Sequence, residues 1–408
     1  MDLQILAERL RTAREQRGIT QQAAALALNL PRTAITQIEG GNRAVSTLEL
    51  TRLAKLYSRA VSSFVDEIEE IDEELDVILY RTEPGLKEIP AIKRYLNLCS
   101  EGLLLEKILG QIASLGLPTY NLPSPRNKSE AVQQGEIIAK KERKRLDIGS
   151  NPVADIADLI ARQGIWAAST NLPDTMSGLF WHHQKTGLVI LVNAKHTKAR
   201  KRFSYAHEYA HALIDREGFV RISHTDNNAE LIEVRANAFA AAFLMPAEGI
   251  TDQLRALNKG QPSRNEYEIF DVVTGGKTKS ENRTLASNQH ITYQDVILIA
   301  HHFGVSYQAT VYRLSSLRFL SQQEKTALLA KEHDGKNYLR RLDMFTDFEE
   351  QEDQKLWDRE LRSQLVRLAI EAYRQQEISR GRLLELGNEI GIDGKVLYDL
   401  AEAALDND

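Results

Sequence analysis

Cysteine is almost absent. Cys99 is the single one in 408 residues, which excludes an internal disulfide framework. No apolar run reaches the ~18 residues that a membrane span needs. The opening MDLQILAERLRTAREQRG is amphipathic and lacks both the apolar core and the small-residue cleavage site of a secretory signal. A cytoplasmic protein with no membrane partner is therefore expected. There is no repeat of fixed period, and the net charge of −5 argues against a uniformly basic nucleic-acid binder. Proline is sparse too, and three of the ten fall in one stretch, GLPTYNLPSPRNKS (116–129), which reads as a loop. What is present is 42% hydrophobic and 27% charged, ordinary for a soluble chain long enough to hold two or three cores.

The charge is uneven. Residues 1–65 carry nine Lys/Arg and five Asp/Glu, a local excess of +4, and DEIEEIDEELD (66–76) then carries eight acids and no base. Such a change of sign marks a domain edge. Residues 1–65 read as four short helices. Leu3, Leu6, Leu10 and Ala13 have helical spacing. Thr20 is placed to cap QQAAALAL, Asn29 and Leu30 form a tight turn, and Pro31 takes the first turn of a third helix. Ser46 or Thr47 caps STLELTRLAKLY. This is the layout of a helix-turn-helix, whose third helix is expected to lie in a major groove with its early residues at the base edges. Arg32, Thr33 and Thr36 share one face, with Ile35 and Ile38 turned inward, and are the candidates for reading bases. Gln21, Gln22, Asn42 and Arg43 are the candidates for gripping phosphates. The competing reading is a helical bundle for protein contacts.

The texture changes after residue 151. PVADIADLIARQGI reads as a helix, GLVILVN (187–193) as a buried strand, and RFSYAHEYAHALIDRE as a second helix. A further helix is expected over about 226–244, stopped by Pro246. NKGQPSRNEYEIFDVVTGGKTKSENRTLASNQH reads as loop-rich, and the chain beyond about 320 as charged and helical. His207 and His211 stand four apart, so a helix turns both imidazoles to one side, as a zinc ion requires. Glu208 is rotated by one residue and suits a general base beside the metal rather than a ligand. The apolar strand just before the helix is expected to be an edge strand that could hold an extended peptide. A third ligand is needed. Glu230 and Glu233 lie one turn apart in AELIEVRANAFAAAFLMP, and His224 in RISHTDNN competes with them. Arg235 and Asn237 are candidates for orienting the ligands.

RKRFSYAHEYAHALID followed by ELIEVRANAFAAAFLMP resembles the ImmA/IrrE family of zinc metallopeptidases, of minimal zincin-like fold. MSGLFWHHQKTGLVILVNAK looks like that family's strand region, and the likeness extends over about 135–318. The resemblance implies His207, His211 and Glu233 as zinc ligands and Glu208 as base. It also implies a protein substrate, often a repressor. RLRTAREQRGITQQAAA, AITQIEGGNR and LELTRLAKLY resemble the Cro/repressor (XRE) DNA-binding family, which implies operator DNA as a partner and a homodimer.

Two pieces remain. Cys99 in YLNLCSEGLLLEKILG is either a core residue or a thiolate that caps the zinc. AIEAYRQQEISRGRLLELGNEIGIDGKVLYDL gives two helices suited to dimerisation or substrate docking, and Lys140–Arg145 reads as a solvated basic face. The expected architecture is multi-domain and mainly α with an α+β part. A helix-turn-helix domain (1–65) and a helical linker (66–134) precede a zincin-like α+β metallopeptidase domain (135–318) and a helical C-terminal domain (319–408). The expected activity is a DNA-binding regulator with a zinc endopeptidase domain that cleaves a repressor, another protein or itself. The alternatives are a regulator whose peptidase-like domain only senses a ligand or partner, and a peptidase whose helix-turn-helix binds protein.

Overall fold

A computed structural model describes residues 3–17, 19–57, 61, 64, 90–111, 117–216, 220–224, 229–259, 265–270, 277–282, 289–344 and 358–405. The acidic run 66–76 lies outside them. The chain forms two compact units, Met1–Ile112 with Arg362–Asp408, and Ala113–Leu361.

In the first unit, α1 (Leu3–Gln16), α2 (Gln21–Leu28), α3 (Arg32–Glu39) and α4 (Thr47–Tyr57) enclose a small core. Leu6, Leu10, Ala24, Ala25, Ile35, Ile38, Leu50 and Leu53 fill it. The capping residues explain where the helices start. Thr20 accepts the Ala23 amide at 3.1 Å, and Ser46 exchanges hydrogen bonds with Glu49 in the same manner for α4. Pro31 stands one residue earlier than expected, as the N-cap of α3 rather than in its first turn. Asn29 ends α2 in the left-handed conformation, φ 55°, which its short polar side chain tolerates. One buried polar knot joins three of these helices. The Glu39 carboxylate, 3% exposed, accepts from Arg14 at 2.6 and 3.0 Å and from Gln21 at 2.8 Å.

The same unit contains α5 (Pro90–Ile108), with Cys99 fully buried in it. Burial pushes that thiol's pKa well up, so the core reading describes its surroundings better than a poised thiolate does. After α15 (Arg359–Arg374) come α16 (Arg380–Ile390) and α17 (Gly394–Leu405), the two helices expected around Gly391. They cross so closely that a Cβ on Gly394 would stand 2.3 Å from the Leu384 carbonyl oxygen.

The second unit is built on a four-stranded mixed sheet of order β1-β3-β2-β4. Its strands are β1 (Ile165–Thr170), β2 (Met176–His183), β3 (Gly187–Asn193) and β4 (Val220–His224). β1 runs parallel to β3, while β2 is antiparallel to β3 and to β4. This corrects one expectation and adds a strand. β3 is an interior strand paired on both sides, as its unbroken apolar run suits, and not the edge. The polar stretch at 220–224, which had no assigned element, is itself an edge strand. Its Val220, Ile222 and alternating Arg221, Ser223 fit a strand with unlike faces.

The remaining helices of this unit in the order of the chain begin with α6 (Lys128–Arg145), α7 (Ile156–Ala161), α8 (Lys198–Ile214), α9 (Leu231–Leu244) and α10 (Ala247–Ala256). Then come α11 (Tyr293–Phe303), α12 (Tyr307–Ser316), α13 (Gln322–Leu329) and α14 (Glu332–Arg341). The helix expected from about 226 starts at Leu231, and Pro246 ends the turn after it. The segment read as loop-rich contains an antiparallel pair, β5 (Asn265–Phe270) and β6 (Lys277–Asn282). Ile165, Phe180, Leu188, Ile190, Tyr209, Phe239 and Phe243 share the main core, so α8 and α9 are fixed to the sheet by apolar packing. Gly135 allows α6 to touch α9, since a Cβ there would lie 2.5 Å from the Arg235 carbonyl oxygen. The basic run on α6 is partly internal. Arg143 is buried and donates to the Gly149 carbonyl at 2.8 Å, and Arg145 pairs with the buried Glu142, while Lys141 and Lys144 are exposed.

Candidate metal centre and nucleic-acid interface

α8 presents His207, Glu208 and His211 to the interior, and the first turn of α9 brings Glu233 to meet them. The exposures are 5% for His207, 0% for Glu208, 0% for His211 and 1% for Glu233. His207 Nε2 lies 3.0 Å from Glu233 Oε2, His211 Nε2 lies 3.5 Å from Glu233 Oε1, and the two Nε2 atoms are 3.2 Å apart. Ligand atoms of the three residues all fall within 4.8 Å of one another. Glu230 is exposed at the N-cap of α9 and takes no part. His224 ends β4 opposite Met176, and its side chain is outside the described residues.

The opposite ring nitrogens decide what this cluster needs. His207 Nδ1 meets Asn237 Oδ1 at 2.9 Å and His211 Nδ1 meets Asp215 Oδ2 at 2.9 Å. Both partners are acceptors, so each Nδ1 carries the proton and donates. In the neutral rings both Nε2 lone pairs then face each other and a carboxylate. Acceptors directed at acceptors repel unless a cation lies among them. A proton answers this in part. The His211 pKa is raised to about 9, because burial, which opposes it, is outweighed by hydrogen bonds to Asp215 and Glu233. Burial likewise opposes the shift of Glu233, yet contacts with the two histidines hold its carboxyl well below the usual range. A divalent metal answers it fully, and two imidazoles with one carboxylate are a donor set that zinc accepts.

Glu208 stands apart from this convergence. Its carboxylate is fully buried, and among the described residues neither oxygen has a hydrogen-bond partner. Burial raises its pKa, partly offset by the charges of His207 and His211. The Ser223 hydroxyl faces it from β4 without a hydrogen bond of ordinary geometry. On the sheet side, Gly178 of β2 leaves the room it occupies, since a Cβ there would be 2.4 Å from Glu208 Oε1. The residue types alone gave no sign of Gly178, because the approach exists only once β2 crosses α8. Asp215 could have been found, as it continues the four-residue spacing of His207 and His211.

In the first unit, Arg32, Thr33 and Thr36 lie exposed on α3, beside Gln37, which the sequence reading passed over. Ile35 and Ile38 are buried on the other side. Gln22 and Asn42 are exposed. Gln21 is half-buried and braces α2 to α3, donating to Glu39 and accepting from Thr36 at 3.3 Å. Arg43 is held by Glu49 at 2.6 Å. The readable face of α3 is thus polar and open, while two of the four phosphate candidates already have partners in the unit.

Residues 160–267 match the peptidase-family model described as the IrrE N-terminal-like domain, and residues 5–61 match the model of a helix-turn-helix domain. The chain joins a helix-turn-helix domain to an ImmA/IrrE-like domain. No curated protein matches it. The match to the IrrE-like domain contains all four residues of the cluster, the whole sheet and α8. The match to the helix-turn-helix domain contains α2 to α4 and all of α1 but its first two residues. The pairing describes a regulator with a DNA-binding domain and a peptidase-like domain. Among the described residues no helix is long and apolar enough to cross a membrane.

Proposed function

We propose that this protein is a DNA-binding regulator whose IrrE-like domain is a zinc-dependent endopeptidase. His207, His211 and Glu233 hold the zinc, and Glu208 is the general base. The observation that carries this reading is the convergence of three lone-pair donors beside a buried carboxylate with no hydrogen bond of ordinary geometry among the described residues. Zinc in such a site polarises a carbonyl and makes water a nucleophile near neutral pH. The protein's own groups do the rest. Asn237 and Asp215 fix the tautomer of the two histidines, so that both Nε2 atoms are available. Glu208, its pKa raised by burial, is suited to take a proton from water and pass it to the leaving amine. β4 ends the sheet next to Glu208, and its outer edge is the place where an extended peptide would add as a further strand.

Residues 1–65 bind operator DNA through α3, with Arg32, Thr33, Thr36 and Gln37 at the bases and Gln22 and Asn42 at phosphates. A module with an excess of only +4 binds weakly alone, so the regulator acts as a homodimer on two half-sites. The substrate is a protein, a repressor or the chain itself, cut in response to a signal. The test is cleavage by wild type and Glu208→Gln in the presence of co-expressed neighbouring proteins, with and without DNA. Fragments from wild type alone support the proposal. A second reading has its own observation: the four site residues are at most 5% exposed. A domain that only senses a partner needs no open path to Glu208. Bound zinc with no fragment under any condition would favour it.

A further inference from the structure

His211 is oriented by a chain of contacts that crosses three elements. Asp215, at the C-cap of α8, puts Oδ2 on His211 Nδ1 at 2.9 Å and Oδ1 on Nη2 of Arg235. Arg235 comes from α9, two residues beyond Glu233, and its Nη1 donates to Gln134 Oε1 of α6 at 3.1 Å. Gln134 is tied in turn to the Pro123 carbonyl at 3.1 Å. Arg235 is 3% exposed and the Asp215 side chain 10%. Taking such a pair out of water costs about as much as the pair returns, so stability alone explains it poorly. Geometry explains it better. Without Arg235 the Asp215 carboxylate could turn to solvent, and without Asp215 the His211 ring could flip and offer a protonated nitrogen to Glu233.

We propose that Asp215 and Arg235 are positioning residues for the metal, with Gln134 as their anchor on α6: they lock His211 with Nε2 bare and aimed at Glu233. The proposal rests on the reading of His207, His211 and Glu233 as ligands. It assigns to α6, which contributes no ligand, a share in metal affinity. It also places on Arg235 a role distinct from catalysis, since nothing puts it in reach of a substrate.

The test uses the full chain, stripped of metal and titrated with Zn2+ against a chromophoric chelator, then with Co2+ for its visible spectrum. Asp215→Asn is expected to weaken Zn2+ binding by about 10- to 100-fold. Arg235→Gln is expected to weaken it by about tenfold, with Arg235→Lys recovering part of the loss. The Co2+ bands should shift in both. Ile250→Ala, a core truncation on α10, serves as the control for mere loss of stability and should keep wild-type affinity and spectrum. The inference is overturned if Asp215→Asn and Arg235→Gln bind Zn2+ within about twofold of wild type, or lose no more than Ile250→Ala does. If wild type itself binds no metal while remaining folded, it is the ligand reading that fails, and this inference with it.

Discussion

Glu208 should weaken the protein that carries it. Its carboxylate is completely buried, and among the described residues both oxygens lack a partner. A charged group left in that state costs about 1–3 kcal/mol or more. Replacing it with the neutral isostere in Glu208→Gln, or with the apolar side chain in Glu208→Met, removes the charge and most of that cost. A gain of about 2 kcal/mol is expected in metal-free protein. For a unit the size of Ala113–Leu361, each kcal/mol moves Tm by about 2–4 °C, so Tm should rise by about 4–8 °C. Differential scanning calorimetry on chelator-treated protein reads this directly and requires no substrate. Glu208→Met should gain at least as much as Glu208→Gln, because the amide still brings polar atoms into the same space. If both variants melt at or below the wild-type temperature, Glu208 has partners or water that the geometry does not reveal, and the claim of an unpaired base is wrong.

Other consequences are open to test. In Gly178→Ala the new methyl meets Glu208 Oε1 at 2.4 Å between strands paired on both sides, so about 1–3 kcal/mol of stability is lost. Cleavage should fall by about 100-fold while zinc content stays at the wild-type level; equal rates would show that the carboxylate swings aside freely. His196 is buried, and that burial, with the charge of Arg200, lowers its pKa from 6.5 to about 4. The unfolded chain therefore binds a proton that the folded chain refuses between those values, and stability falls as pH drops from 6.5 to about 4, by at most about 3 kcal/mol. Denaturant titrations across that window should flatten in His196→Gln, and an unchanged slope would assign the acid loss to other groups. On DNA, Arg32→Ala should cost about 1–3 kcal/mol and relax preference at one base pair, whereas Asn42→Ala should weaken binding to all sequences alike. Fluorescence anisotropy on a selected operator separates the two, and a uniform loss from Arg32→Ala would remove it from the base edges.

Much of this was legible because it is local. The four-residue spacing of His207 and His211 survives in any helix, and Thr20, Ser46 and Pro246 mark helix ends by chemistry that acts within one turn. The apolar run of β3 also announced a buried strand, but not its place in the sheet. Order depends on which strands find each other, so β3 proved interior and β4, too short and polar to stand out, became the edge. The alternating NEYEIF was hidden by the loop-forming residues around it, and formed β5. Gly178 and Gln134 were beyond reach for one reason: each matters only through a residue far along the chain. Arg235 was legible as an orienting residue and Asp215 by its spacing, but their pairing with each other was not.

The central claim is that His207, His211 and Glu233 form one zinc site beside Glu208. Its most direct test is an anomalous difference map, collected on crystals of the full chain at the zinc absorption edge. One strong peak is expected, touched by both Nε2 atoms and the Glu233 carboxylate and absent from crystals of Glu233→Ala. A map without that peak from zinc-supplied crystals, or a peak held by other residues, would contradict the account.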